Sequence, residues 1–542
     1  MTYTSYGFAF LTAAALILFY ACGGRFQKQV LLITSAVFIV LAGGIYSLFF
    51  ILLSAGISFL GALFMEKAEQ PKGIEPAKGT GHAGDPELLW KKRKTVFVLA
   101  VCMQLLMLAV FKYLNFPNYT KLAFAELTGR EFAFEEIALT APLGISFYAL
   151  MQISYLTDVY WNSRTAEHSF LRYGIFSALF LHIVQGPVDR YGTVSNRLSE
   201  RIPLDLTRIS AGLFRLSWGL FKKLVISERL AVFVNTIYGD TLSYSGSYLV
   251  FAAICYALQL YTDFSGCMDL VLGIGEMFGL RLSENFKQPF FSRSDAEFWR
   301  RWHVSLGNWF RDYLMYPMLR TKTFRNLGNF GKRVFGKKQG KKLPVCLSLL
   351  IVWSLLGLWH GGMWTFIIGS GLLHCMYMIL AQIFEPAFDG FYRVTGLNRE
   401  NPVWKAFQML RTFVLVSIGF VFFRSDSLTM AFDIFRGMGS GDMGLFGGEG
   451  FLSLGMSVPD AIVLVLGLLL LFVISWKLEK TEMVTTVGGT DDAKMPCFAE
   501  RLLSGRGTKA YLTAALLLLF CVLIFGFYGQ GYDASAFIYS QF

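Results

Sequence analysis

The sequence predicts an all-α integral membrane protein that crosses the bilayer many times. Of its 542 residues, 54% are hydrophobic, 16% aromatic and only 16% charged, a composition typical of chains whose main solvent is lipid. Apolar runs of roughly 20 residues, long enough to cross a hydrocarbon core of about 30 Å as a helix, recur from one end to the other. The longest runs have room for two helices or a broken one, so we expect about 11 to 13 hydrophobic helices, some of them re-entrant.

The apolar runs follow one another along the chain at 7–22, 30–44, 46–65, 95–112, 139–160, 209–235, 246–280, 345–384, 405–424, 460–477 and 510–530. The first has no basic region before it and is followed at once by two more, so we expect it to be retained and not cleaved as a signal peptide. We treat residues 1–542 as a single polytopic domain.

Basic residues predict the orientation of these helices. Arg25 and Lys28 follow the first run, a basic group at 91–94 precedes the fourth, and 332–342 is strongly basic. Because basic loops stay in the cytoplasm, we assign to that side the loop 66–94, the basic loop 318–344 and the linker 478–508. The N-terminus, the loop 113–138 and the C-terminal segment from 528 would then lie outside.

The net charge of +12 is interpreted as a signal for orientation and for attraction to anionic lipid. Nucleic acid is not an expected partner, because the basic residues flank membrane runs and do not alternate with exposed aromatics on a soluble domain. The cysteines fall mostly within or beside apolar runs without CxxC spacing, so no metal site and no disulfide framework is predicted.

The segment from Phe298 to Tyr313 reads as one amphipathic helix when residues are placed about 100° apart. Its aromatic and apolar face comprises Phe298, Trp299, Trp302, Leu306, Trp309, Phe310 and Tyr313. Its polar face comprises Arg300, Arg301, Ser305, Asn308, Arg311 and Asp312, and His303 lies at the edge. The helix is either an interfacial anchor with arginines reaching water or the wall of an aqueous path for a phosphate-bearing donor, because guanidinium matches phosphate geometry.

His360 lies between an apolar run and two glycines, in LLIVWSLLGLWHGGMW. Gly361 and Gly362 permit an unwound turn at this point, which would place the imidazole at the end of a cavity. A neutral imidazole takes a proton from a hydroxyl near neutral pH. The alternative is a buried histidine bonded to a backbone carbonyl. We expect His374 to be a packed residue or one that supports the site through a neighbouring side chain, and His182 to be a packed residue.

Several motifs resemble those of the membrane-bound O-acyltransferase superfamily. FWRRWHVSLGNWFRDYLMYP and the later GLWHGGMW are similar to its core signature. Further pieces match in order: PLGISFYALMQISYLTDVYW, FLHIVQGPVDRY, YTDFSGCMDLVLGIGEMFGLRLSENFKQPF, FVFFRSDSLTMAF and the terminal FIYSQF. The resemblance covers nearly the whole chain and is closest to the bacterial branch that contains the alginate O-acetylation protein and the teichoic acid D-alanyl transfer protein.

This resemblance implies a ring of membrane helices around a central tunnel, in the bacterial cytoplasmic membrane. The family's invariant histidine corresponds to His360 and its second, frequently retained histidine to His303. Because the family transfers an acyl group to a hydroxyl, His360 is the expected general base, and His303 would orient the donor or help to stabilise the oxyanion. The expected substrate-binding residues are Arg300, Arg311, Asn308 and Trp359.

The resemblance further implies an acyl thioester co-substrate and no permanently bound cofactor. Polysaccharide O-acetylation would use acetyl-CoA or a related thioester, with an extracytoplasmic hydrolase-like acetyltransferase as partner. D-alanyl transfer would use a phosphopantetheinyl carrier protein, whose acidic surface could dock on the basic loops. The motifs GLWHGGMWTF, FFRSDSLTMAF and FIYSQF favour the first.

A function of another class stays open at this point. A proton-coupled transporter would also place His303 and His360 in broken helices. Against it, no matching pair of interrupted helices is evident in two halves, and carboxylates in the apolar runs are sparse: Asp158, Asp263 and Asp269 are the main ones. We expect these aspartates to cap helices or to pair with arginines.

Overall fold

The structure, a computed structural model, describes residues 1–68, 86–130, 132, 134, 136–198, 200–447, 450–487, 497–503 and 505–528. These residues form helices joined by turns and loops, with one isolated antiparallel bridge between Phe286 and Trp302. The all-α prediction is confirmed.

Within the described residues, eight helices are long and apolar enough to cross a membrane. They are Gln27–Lys67, Glu87–Lys112, Ser247–Met277, Leu343–Gly361, Trp364–Ile383, Pro402–Arg424, Val458–Thr481 and Gly507–Phe525. The long apolar run 345–384 contains two of them, as its length predicted. Multiple membrane crossings are therefore a property of this chain.

Gly44 has φ 74°, which breaks Gln27–Lys67 into the two runs seen in the sequence. Within the described residues, Tyr6–Ala21 is a further, shorter apolar helix of 16 residues. The predicted runs 139–160 and 209–235 also form helices, Ile145–Tyr160 and Leu206–Leu220, and the second continues through the π-turn Phe221–Ser227 into Glu228–Gly239. The total of 11 to 13 hydrophobic helices stays a prediction.

The first of two compact units comprises residues 1–114, 138–209 and 274–283. Buried hydrogen bonds join its helices. The side-chain amide of Gln104 is fully buried and forms hydrogen bonds with Ser54 and Ser58. His182 is also fully buried, with Nε2 2.8 Å from the carbonyl oxygen of Phe176. Such contacts satisfy polar groups away from water, and His182 thus has the environment of a packed residue.

The second unit comprises residues 115–137, 210–273 and 284–542. Two of its helices approach closely at glycines: a Cβ added to Gly219 would lie 2.5 Å from the Gly266 carbonyl oxygen, and one added to Gly273 would lie 2.5 Å from that of Gly212. Backbones that meet at small residues gain packing contacts in a membrane protein. Both histidine motifs belong to this unit.

The predicted cytoplasmic segments contain helical structure. The basic segment 318–344 carries the helix Lys322–Gly340, and the helix Pro86–Lys112 begins within 66–94. The helix Val458–Val487 extends into 478–508, which also contains the helix Phe498–Leu503. Residues 69–85, 488–496, 504 and 529–542, which include the remainder of two of these segments and the terminal FIYSQF, lie outside the described residues.

Candidate active site

The chain around His303 turns sharply and does not form one helix. The helix Asp295–Arg301 begins with Ser294, whose hydroxyl accepts from the Glu297 N–H, and a second helix covers Val304–Phe310. His303 joins them in the left-handed region, with φ 47° and ψ 50°. The prediction of a single amphipathic helix over 298–313 is wrong, because long-range backbone pairing with residues 285–287 ends the first helix at Trp302.

The aromatic and basic residues of this segment differ in burial on either side of the break. Phe298 and Trp302 are almost fully buried, and Arg301 forms ion pairs with Glu297 and Glu479 at 2.7 and 2.5 Å. Arg300 and Arg311 are exposed, and Arg311 pairs with Asp312 at 3.0 Å. The motif therefore supplies a buried aromatic core on one side and exposed guanidinium groups on the other.

His303 lies in an aromatic environment with 4% of its surface exposed. Its ring centroid is 4.9 Å from that of Phe264 and 6.1 Å from that of Trp359. His303 lies outside the eight candidate membrane-crossing helices, and burial lowers its pKa to about 3. The imidazole is therefore neutral at physiological pH, because desolvation disfavours the charged form.

His360 lies at the C-terminal end of Leu343–Gly361, with 3% of its surface exposed. Gly362 follows in the left-handed region with φ 79°, and Trp364 opens the next helix. The predicted opening of the helix at the glycines is thus present. The His360 ring centroid is 5.1 Å from that of Trp359 and 5.5 Å from that of Phe423.

Three of the six predicted site residues come together. The buried ring of Trp359 contacts both imidazoles, so His303, Trp359 and His360 form one cluster walled by Phe264 and Phe423. This histidine cluster holds two imidazoles in a largely apolar surround. Such an environment excludes water and strengthens any hydrogen bond made inside it.

Of the other three predicted residues, Arg300 precedes His303 in the sequence, and Asn308 and Arg311 follow it. Arg300 and Arg311 are exposed, and Asn308 is partly buried on the helix Val304–Phe310. The guanidinium of Arg311 lies 5.9 Å from the Tyr316 ring centroid.

Sequence reasoning did not identify a second buried pair. Nδ1 of His374 lies 2.7 Å from Oδ1 of Asp295, and the His374 ring packs on Trp299 and Trp353 with centroids 4.8 and 6.0 Å apart. His374 was expected to be a packed residue or one that supports the site through a neighbouring side chain, and it is fully buried. The partner, Asp295, is 79 positions away in the sequence, so no local pattern could indicate it.

A small polar cleft with a volume of about 30 Å³ lies within the same unit. Its charged walls contain Arg215, Lys222 and Arg501 together with Asp269 and Glu284. Asp269 pairs with Arg215 at 2.9 Å and with Lys222 at 2.7 Å, as expected for an aspartate in an apolar run. Burial raises the pKa of Glu284, but the charges of Arg215 and Arg501 outweigh that effect and lower it to about 2. The charged side chains that line this cleft thus form a network of ion pairs.

The fold is that of a multi-pass membrane protein, and it brings His303, Trp359 and His360 together in one buried cluster. No family model matches the sequence. The chain is 31% identical over 440 residues to the probable alginate O-acetylase of Pseudomonas aeruginosa, covering 81% of this chain and 75% of that protein. It is 29% identical to the peptidoglycan O-acetyltransferase of Helicobacter pylori, covering 63% and 64%, and 26% identical to the teichoic acid D-alanyltransferase of Bacillus subtilis, covering 53% and 69%.

The chain therefore belongs to the membrane-bound O-acyltransferase superfamily. It is an acyltransferase of the membrane, and the resemblance seen in the sequence motifs is confirmed. Transport, the alternative considered from the sequence, is not an activity that the names of these relatives state.

Proposed function

We propose that this protein transfers an acetyl group from a cytoplasmic thioester donor to a hydroxyl of an extracytoplasmic cell-envelope polysaccharide, directly or through a partner. The observation that carries the proposal is the shared contact of His303 and His360 with Trp359 in a buried cluster. The relatives named for O-acetyl transfer are 29 to 36% identical to the chain, whereas those named for D-alanyl transfer are 25 to 26% identical.

In the proposed mechanism, His360 takes the proton of the acceptor hydroxyl, directly or through a relay group, as its oxygen attacks the thioester carbonyl. A carbon–oxygen bond forms and the carbonyl oxygen becomes an oxyanion. Neutral His303 donates a hydrogen bond that orients the donor or stabilises this oxyanion. The carbon–sulfur bond then breaks, and the proton on His360 passes to the leaving thiolate.

Arg300 and Arg311 would steer the phosphate of the donor's pantetheine arm. Both are exposed, so their guanidinium groups are accessible to a ligand from water, and guanidinium binds phosphate through paired hydrogen bonds. Asn308 and Trp359 would contact the arm between the phosphate and the thioester. No permanently bound cofactor or metal is required by this chemistry.

A second candidate is D-alanyl transfer from a phosphopantetheinyl carrier protein towards teichoic acid. It is favoured by the relative in Bacillus subtilis and by the basic helix Lys322–Gly340, whose exposed lysines suit an acidic carrier surface. In either case the reaction class and the roles of the two histidines are the same.

A comparison of the two donors, each supplied separately, distinguishes the two candidate functions. Membranes that contain the protein would receive either radiolabelled acetyl-CoA or a carrier protein charged with labelled D-alanine. Label in cell-envelope carbohydrate from acetyl-CoA alone supports acetyl transfer, and label from the carrier alone supports the second candidate. Label from neither donor would contradict both proposals on the donor.

A further inference from the structure

His303 has a backbone conformation that needs support from elsewhere in the chain. Its φ of 47° lies in the left-handed region, which few residues other than glycine adopt and in which histidine, like asparagine and aspartate, is commoner than most of them. It also occupies the N-cap position of Val304–Phe310, where a side chain normally accepts a hydrogen bond from the first turn. The imidazole makes no such bond.

Asn285 supplies the missing cap. Its backbone carbonyl oxygen accepts the Val304 N–H at 3.0 Å, and its side-chain Oδ1 accepts the Ser305 N–H at 2.9 Å. These two N–H groups are the first of the helix, and both would otherwise be left unsatisfied in the interior. Asn285 is fully buried, so water does not compete for these bonds.

The other end of the Asn285 amide is also fixed. Its Nδ2 donates to Sδ of Met268 at 3.1 Å. Phe264, one helical turn before Met268, packs on the His303 ring with centroids 4.9 Å apart. One face of the helix Ser247–Met277 therefore supports both the His303 ring and the residue that caps the backbone after it.

We infer that Asn285 is a positioning residue, which holds His303 in its left-handed turn and leaves the imidazole uninvolved in capping its own helix. The inference rests on the role proposed for His303 in acyl transfer. Truncation at Asn285 would let Val304–Phe310 begin elsewhere or let the imidazole cap it, and displacement of a catalytic group by about 1 Å costs on the order of 100-fold in rate.

The test compares Asn285→Ala and Asn285→Asp with Gln104→Ala, which removes another fully buried amide from the other compact unit. The readout is the ¹⁵N spectrum of histidine-labelled protein in nanodiscs, with the His303 signal assigned by its loss in His303→Gln. Asn285→Ala is expected to shift the His303 signal and Gln104→Ala to leave it unchanged. Asn285→Asp, which keeps an oxygen acceptor, is expected to restore the wild-type signal.

Acyl transfer provides the second readout. Asn285→Ala is expected to lower kcat by roughly 10- to 100-fold with little change in the donor KM, and to cause no further loss in a His303→Ala background. An unchanged His303 signal in Asn285→Ala, or a signal moved equally by Asn285→Asp, would overturn the positioning role. If the wild type transfers no acetyl group, the proposed donor fails, and the spectrum still decides the inference.

Discussion

Nδ1 of His374 lies 2.7 Å from Oδ1 of Asp295, and both side chains are buried. Asp295 begins the helix that leads to His303, and His374 lies on the helix that follows His360. Trp299, one turn after Asp295, packs on His374 and on Trp353 of the His360 helix. This contact thus ties together the two segments that carry the proposed catalytic histidines.

Loss of that contact should destabilise the protein. Asp295→Ala is expected to lower the free energy of unfolding by about 1 to 3 kcal/mol, because it leaves buried polar groups of His374 without their partner. Thermal unfolding in detergent measures the change. Asp389→Ala, which removes an exposed carboxylate paired with Arg399, is the control and should leave the free energy of unfolding nearly unchanged. Additive effects of Asp295→Ala and His374→Ala would contradict a direct coupling between the two residues.

Substitution of Gly362 should destabilise the protein and slow acyl transfer. Its φ of 79° is a left-handed conformation that costs a residue with a Cβ about 1 to 2 kcal/mol, and the strain falls two residues after His360. Gly362→Ala is expected to lower both the melting temperature and the transfer rate. Gly390→Ala is the control, because Gly390 lies within a helix and an added Cβ meets no atom within 4 Å. Equal melting temperatures and equal transfer rates for the two variants would show that the turn after His360 tolerates a side chain.

Arg300 and Arg311 should affect donor binding more than the chemical step. Arg300→Ala and Arg311→Ala are each expected to raise the donor KM by roughly 3- to 10-fold with kcat little changed. An interaction that stabilises the bound donor and the transition state equally affects KM and leaves kcat unchanged. The rise should shrink at high salt, which screens exposed charges. Arg399→Ala, another exposed arginine, is the control. A fall in kcat without a change in KM would show that these arginines do not steer the donor.

The buried state of His303 should make the protein sensitive to acid. Burial lowers its pKa to about 3, below the ordinary value of about 6.5. Between these values the unfolded chain binds more protons than the folded chain, so stability falls as the pH falls below about 6.5. From pH 6.5 to pH 5 the loss due to His303 is about 2 kcal/mol. Unfolding measured across this range in wild type and His303→Gln should show a smaller loss in the variant, and parallel curves would contradict the prediction.

Much of the fold could be predicted from the sequence because its signals are local. Apolar runs indicated the membrane helices, and Gly361 and Gly362 indicated the opening after His360. The break at His303 could not be found in this way, because Trp302 and His303 carry no turn signal and the chain is bent by pairing with residues 285–287. The partners Asp295 and His374 are likewise brought together only by the tertiary fold.

The same distinction applies to the site. Composition and motif identified His303, His360 and Trp359, which the structure places in one cluster. The residues that hold this cluster, Asn285 and Asp295, are polar residues in segments whose own pattern predicts nothing about their partners.

Acetyl transfer in membranes carrying His360→Ala tests the central claim most directly. Labelled acetyl-CoA would be supplied to membranes with equal amounts of wild type, His360→Ala, or the control His168→Ala, whose imidazole is exposed and pairs with Glu66. Loss of a general base predicts a fall of roughly 100- to 10,000-fold in label transferred to cell-envelope carbohydrate for His360→Ala, with wild-type transfer in the control. Unchanged transfer by membrane-inserted His360→Ala would contradict the assignment of His360 as the base.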